Sequence, residues 1–210
     1  MTYTDEKISA LRKKVAESMS EKRFFHTAEM EKMAIRLGEL YAPDKIPMLR
    51  AAALLHDITK EKSTEEHLAI LKANGVELTR LDKISPKTLH ARTAEYVIRD
   101  EFPEFYTDGE LLNCVRKHTT GDEQMTLCEM IIYLADYIDM SRTFDDCVRL
   151  REYFLSAEPE KMNEEEKYKH LLKTLVLSFD MTLMALIDEG YPISRQSVDA
   201  RNALICKLMA

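Results

Sequence analysis

Along almost the whole of this 210-residue chain, apolar residues recur at helical spacing, and only five glycines and six prolines punctuate it. Apolar side chains at i, i+3, i+4 and i+7 share one face only if the backbone is helical. The breakers fall between the periodic windows, where helices end. The spacing therefore predicts an all-α fold, with helices over about 5–19, 26–41, 47–58, 63–74, 86–102, 109–117, 126–140, 145–155, 159–189 and 194–209.

Local signals sharpen several ends. Ser63-Thr64-Glu65-Glu66 and Thr126-Leu127-Cys128-Glu129 read as capping boxes, in which hydroxyl and carboxylate satisfy orphan backbone donors. Ser85 reads as an N-cap followed by Pro86 in the first turn. Gly75 is expected to stop the fourth helix, and Gly190 the long one, with Pro192 preventing continuation. The run Asn163-Glu164-Glu165-Glu166-Lys167 reads as a solvated helix face.

Composition removes several classes of function. Lys and Arg total 30 against 37 Asp and Glu, a formal charge of −7. That balance argues against a general nucleic-acid-binding surface, so an anionic ligand needs a local basic pocket. Cys114, Cys128, Cys147 and Cys206 form no CxxC pair, which argues against structural disulfides and a thiolate zinc site and fits a reducing cytoplasm. The first residues lack a basic flank followed by an apolar stretch, so no secretory signal is expected. The most apolar segment, 175–187, is interrupted by Asp180 and is too short for a membrane span. One domain is expected over 1–210, with a core of about 20–145 and C-terminal helices over about 145–210. The twelve methionines read as adaptable core filler.

Chemistry enters with the order His26, His56-Asp57, His90, His118, Asp136, which uses four of six histidines on separate segments. Neutral imidazole and ionised carboxylate are ligands for divalent iron, manganese or zinc. An adjacent His-Asp pair alone is weak evidence; the whole series is stronger. His56 and Asp57 close the apolar helix that contains Ala51 to Leu55, and Asp136 lies within Met130-Ile131-Ile132-Tyr133-Leu134-Ala135-Asp136. Desolvating a carboxylate there costs roughly several kcal/mol unless a cation or hydrogen bonds take up its charge. His67 and His170 lie in charged, amphipathic stretches and read as surface residues.

The surrounding text is specific. It runs Arg23-Phe24-Phe25-His26-Thr27, Ala53-Leu54-Leu55-His56-Asp57-Ile58-Thr59-Lys60, Leu89-His90-Ala91, His118-Thr119-Thr120-Gly121 and Tyr133-Leu134-Ala135-Asp136-Tyr137-Ile138, with Arg142 beyond. Tyr191-Pro192-Ile193-Ser194 and Arg201-Asn202 follow near the end. From about residue 20 to 205 this resembles the YqeK family of HD-domain phosphohydrolases, which are symmetrical dinucleoside tetraphosphatases. One departure affects Arg142: the family tends to read Ile-Glu-Pro-x-Arg where this chain has Ile138-Asp139-Met140-Ser141-Arg142.

The resemblance implies an HD-domain helical bundle with a C-terminal helical extension. It makes His26, His56, Asp57 and Asp136 the primary metal ligands. His90 and His118 then face phosphates or hold a second ion with Asp57 bridging. Iron is the implied metal, with manganese or zinc compatible. Asp57, Lys60, His90 and His118 become the catalytic set. Lys60, one turn past the pair, points back over the metal as a phosphate contact; Arg23, Thr119 and Arg142 complete the phosphate-binding residues.

The implied reaction is attack of a metal-activated water on a middle phosphorus of diadenosine tetraphosphate, or a guanine relative, releasing two nucleoside diphosphates. A nucleoside 5′-monophosphatase and a non-catalytic nucleotide-binding regulatory module are the alternatives. The accessory His90 and His118 favour the larger polyphosphate. Gly190-Tyr191-Pro192 matches the tripeptide of HD-type cyclic dinucleotide phosphodiesterases, but it follows Asp136 by a long helix and so reads as a helix end.

Overall fold

Two helices are apolar on nearly every side, and the others are laid around them. In the computed structural model, which describes residues 2–209, these are α3 (Ile46–Leu55) and α9 (Leu127–Ile138). Ala51 to Leu55 are fully buried, as are Ile131, Ile132, Leu134 and Ala135. A helix without a polar face belongs in a protein interior. Each fully buried Leu contributes about 1.5–3 kcal/mol of transfer free energy.

α2 (Glu21–Tyr41) packs along both helices with Met30, Met33, Ala34 and Leu37, and α8 (Gly109–Lys117) packs on both with Leu111, Leu112 and Val115. α1 (Asp5–Glu17) lies on α3. α4 (Thr64–Ala73) and α6 (Leu89–Glu101) pack together, with α6 against α8. α5 (Arg80–Ile84) and α7 (Pro103–Tyr106) are short connectors. α10 (Asp145–Ser156) and α11 (Glu164–Asp188) cover α9, where Phe179 stacks on Tyr133 with ring centroids 4.5 Å apart. α12 (Arg195–Met209) packs on α11.

The all-α expectation holds: the described residues contain no strand. The capping boxes at Ser63–Glu66 and Thr126–Glu129 are both formed, and Asn163 with Glu166 makes a further one. The predicted start at His26 is corrected to Glu21, because Ser20 caps α2 by accepting the amide of Arg23. Ser85 makes no capping bond. Its backbone geometry differs from the extended form a cap needs, and 86–88 is a 3-10 turn leading into α6. Gly38 lies inside α2 rather than between helices, because a Cβ there would meet Ile46 Cγ1 at 2.9 Å.

The long window 159–189 divides. Pro159–Lys161 is a 3-10 turn, and α11 starts after Asn163 with Glu164 and Glu165 in solvent. The expectation that the apolar segment 175–187 is too short for a membrane span is corrected, because it belongs to the longer α11, which by length and composition is long and apolar enough to cross one. α11 buries Leu171, Leu172, Leu175 and Phe179 in the core. Its C-terminus closes with Gly190 N–H donating to the Ile187 carbonyl and Tyr191 N–H to that of Leu186, at 3.1 and 2.8 Å.

Candidate metal centre

The five predicted segments converge. His26 comes from α2, His56 caps the end of α3, Asp57 follows it in a turn, His90 is on α6, His118 caps α8 and Asp136 is on α9. His26, His56, Asp57, His90 and His118 are all buried. Asp57 therefore projects from the turn just past α3 rather than from the helix itself.

Hydrogen bonds fix which nitrogen each ring presents. His56 Nδ1–H donates to the Ala53 carbonyl at 2.7 Å, and His118 Nδ1–H to that of Val115 at 2.6 Å. His26 Nδ1 faces the Ser141 hydroxyl at 3.0 Å and Asp139 Oδ2 at 3.4 Å. All three rings thus aim Nε2 inward. His26 Nε2 and His56 Nε2 are 3.3 Å apart, and His90 Nε2 and His118 Nε2 3.0 Å. Two bare imidazole nitrogens at that distance repel unless a proton or a metal ion lies between them.

Asp57 is the pivot. Its Oδ2 lies 3.5 Å from His56 Nε2 and 3.7 Å from His26 Nε2, while Oδ1 lies 3.3 Å from His90 Nε2 and 3.6 Å from His118 Nε2. Oδ1 is buried and accepts no hydrogen bond, the condition in which a cation compensates best. His26–His56–Asp57, His56–His118–Asp136 and Asp57–His90–His118 each bring three ligand atoms within 4.8 Å of one another. The donor set, nitrogen and carboxylate oxygen, suits a divalent transition metal.

The electrostatics divide the site. Burial favours the neutral carboxylic acid of Asp57, yet His56, His118 and Lys60 overcome it and hold the pKa well below the usual range. Asp136 is likewise held down against burial by Arg142 and His26. Burial opposes a charged His26, but Asp136 and Asp139 outweigh it and raise its pKa to about 9. His90 goes the other way: burial, then Lys60 and His118, press its pKa well below the imidazole value.

The remaining predicted contacts are present in this neighbourhood. Lys60 Nζ is 3.1 Å from His90 Nε2 and 3.8 Å from Asp57 Oδ1. Arg23 Nη1 donates to Asp57 Oδ2 at 2.8 Å, and Thr119 Oγ1 is 3.1 Å from His90 Nε2. Arg142 is brought in despite the missing proline, pairing its Nη2 with Asp136 Oδ1 and donating from Nε to the Asp136 carbonyl at 2.9 Å.

Three groups escaped the sequence reading. Asp139, fully buried, accepts the Ser141 amide at 2.8 Å and also its hydroxyl, so the pair backs His26. The signal for it was the Asp at the position where the family tends to have Glu. His67 is buried, contrary to expectation, because its Nδ1 lies 2.8 Å from the Thr93 hydroxyl. Thr93 is 3.0 Å from Thr59, whose hydroxyl donates to the His90 carbonyl at 2.8 Å. His170 is buried too: its Nε2 meets the Phe154 carbonyl at 3.0 Å and its ring stacks on Phe154.

An all-α bundle that closes His- and Asp-bearing segments on one point offers a divalent-metal site of the kind helical hydrolases use. A family model for the HD domain matches residues 23–141. The chain is 29% identical over 179 residues to the symmetrical bis(5′-nucleosyl)-tetraphosphatase of Bacillus subtilis, covering 85% of this chain and 87% of that one. It is 33% identical over 135 residues to the protein of the same name from Halalkalibacterium halodurans, covering 63% and 69%. A crystal structure from Clostridium acetobutylicum, described as a predicted HD superfamily hydrolase involved in NAD metabolism, matches with a TM-score of 0.80 at 29% identity, covering 99% of this chain and 100% of that one. The chain belongs to the HD domain family, on the branch of the symmetrical bis(5′-nucleosyl)-tetraphosphatases.

Proposed function

We propose that this protein hydrolyses dinucleoside tetraphosphates, diadenosine tetraphosphate among them, symmetrically into two nucleoside diphosphates. The observation that carries the chemistry is the shared carboxylate of Asp57, with one oxygen toward His26 and His56 and the other toward His90 and His118. The named activity of the Bacillus and Halalkalibacterium relatives supplies the substrate class.

His26, His56, Asp57 and Asp136 would hold one divalent ion, and His90 and His118 with Asp57 a second. Iron is the metal the family resemblance implies, and this mixed nitrogen and oxygen donor set is compatible with it, as with manganese or zinc. When bound, the metal supplies Lewis acidity, acidifying water and taking up charge on phosphoryl oxygen. Lys60 contributes an ammonium on the His90 side, where it contacts a phosphate and stabilises charge developing in the transition state. Thr119 offers a hydroxyl beside His90, and Arg23 a guanidinium fork on the His26 side. Arg142, tied to Asp136, would add a further guanidinium for phosphate at the edge of the site.

A run of phosphates, rather than a sugar, suits so cationic an edge. The test is turnover of diadenosine tetraphosphate against nucleoside 5′-monophosphates by metal-loaded protein. Preferential cleavage of the tetraphosphate is expected. Fast monophosphate hydrolysis with no tetraphosphate cleavage would replace this reading by a nucleotidase.

A further inference from the structure

The turn that leaves α9 carries two groups of the metal centre, yet packing does not hold it. Asp139 backs His26 with Oδ2 at 3.4 Å from Nδ1, and Arg142 pairs with Asp136. Met140, Thr143 and Phe144 are exposed, so apolar burial does not fix the backbone over 140–144. No proline stiffens it either. A loop of that kind moves unless polar contacts hold it.

Polar contacts hold it from two directions. Within the turn, Asp139 accepts the Ser141 amide at 2.8 Å and the Ser141 hydroxyl, and the Arg142 amide donates to the Asp139 carbonyl at 3.3 Å. From outside, Arg151 on α10 reaches back. Its Nη1 donates to the Asp139 carbonyl at 2.6 Å and to the Arg142 carbonyl at 3.1 Å. One guanidinium nitrogen therefore clamps the first and last residues of the turn together. Among the described residues Arg151 makes no ion pair, and its hydrogen bonds go to these two carbonyls alone. Arg149, two positions earlier, is exposed and pairs with Asp146 as a surface arginine does.

The clamp has a rigid mount and a favourable field. Leu150 and Phe154, on either side of Arg151 along α10, are fully buried, and α10 packs on α9. The base of the Arg151 side chain is thereby fixed. α9 has no basic residue in its last turn, and its terminal carbonyls carry the negative end of the helix dipole. Arg142 Nε on the Asp136 carbonyl and Arg151 on that of Asp139 supply the missing positive charge. Charged donors make these the stronger kind of hydrogen bond.

We infer that Arg151 is a positioning residue: by clamping the 139–142 turn it sets Asp139 against His26 and presents Arg142 at the edge of the site. Its own hydrogen bonds reach no ligating atom, so it acts through the turn. For Arg142 the inference rests on the proposed function; for Asp139 it rests on the geometry of the metal centre.

Arg151→Met keeps the aliphatic stem and removes the donors. It should weaken metal affinity about tenfold, read by competition with a chelator, as expected when a ligand's support is loosened. It should also raise KM for diadenosine tetraphosphate about tenfold, with kcat at saturating metal within about threefold. Arg151→Lys, whose ammonium can still donate to a carbonyl, should recover part of both losses. Double-mutant cycles separate positioning from a general loss of structure. Added to Asp139→Asn, Arg151→Met should weaken metal affinity by less than about twofold more; added to Arg142→Ala, it should raise KM by less than about twofold more. The inference is overturned if Arg151→Met binds metal within about twofold of wild type, or if either cycle is fully additive. Wild-type protein that does not cleave the tetraphosphate would overturn the functional reading instead, and the chelator competition would still judge Arg151.

Discussion

The two sides of Asp57 are built from similar residues and differ in the charges that surround them. Toward Oδ2 stand His26, His56, Asp136 and Asp139, with carboxylates enough to raise the pKa of His26 to about 9. Toward Oδ1 stand His90, His118, Thr119 and Lys60, and His90 is held neutral by burial and by the cation beside it. Imidazole is common to both; the neighbours decide its role. On the proposed reading both sides hold a cation through Asp57, and the basic side, with Lys60 beside it, also receives the anionic substrate.

The comparison breaks first at the residue both sides share. Asp57→Ala should reduce metal content, read by elemental analysis, from about two equivalents to near zero, with activity at background. Chelation of wild-type protein should lower its melting temperature, because the ions offset buried carboxylates. A metal-free protein with full activity would dissolve the distinction between the sides.

Next come changes that should harm one side only. Lys60→Ala should keep its metal and lose roughly 10²-fold in kcat, the scale of one transition-state charge contact. Asp139→Asn should show the converse, weakening metal affinity about 10- to 100-fold while kcat recovers at saturating metal, as expected for a carboxylate that orients a ligand. If both variants lost metal alike, the division at Asp57 would be wrong.

The smallest effects concern the two unexpected buried histidines. His67→Ala opens the network that ends on the His90 carbonyl, and should cost about 1–3 kcal/mol in denaturant unfolding with a modest fall in kcat. His170→Ala, remote from either side and bonded to Phe154, should cost about 1 kcal/mol in stability and leave kcat unchanged.

What could be read from the sequence, and what could not, follows the range of the interactions. The long helices announce themselves because burial imposes a period on a dozen residues or more. α5 and α7, at five and four residues, are too short to display one. The ligand segments were visible because a chemical pattern needs no distances. Asp139 was missed as a ligand-orienting group because its contact with His26 depends on the turn after α9, which places it 113 positions away in the chain. His67 looked solvent-facing among Glu65, Glu66 and Lys72, and the partner that buries it, Thr93, is on α6. Ser85 had the right side chain for a cap on the wrong backbone conformation.

The central claim is that water attacks a middle phosphorus of a tetraphosphate held along the basic side of Asp57. Chromatography of the earliest products from diadenosine tetraphosphate, formed by metal-loaded wild-type protein, tests it directly. Only ADP should accumulate, at two molecules for each substrate consumed. ATP and AMP in equal amounts from the first time points would contradict it.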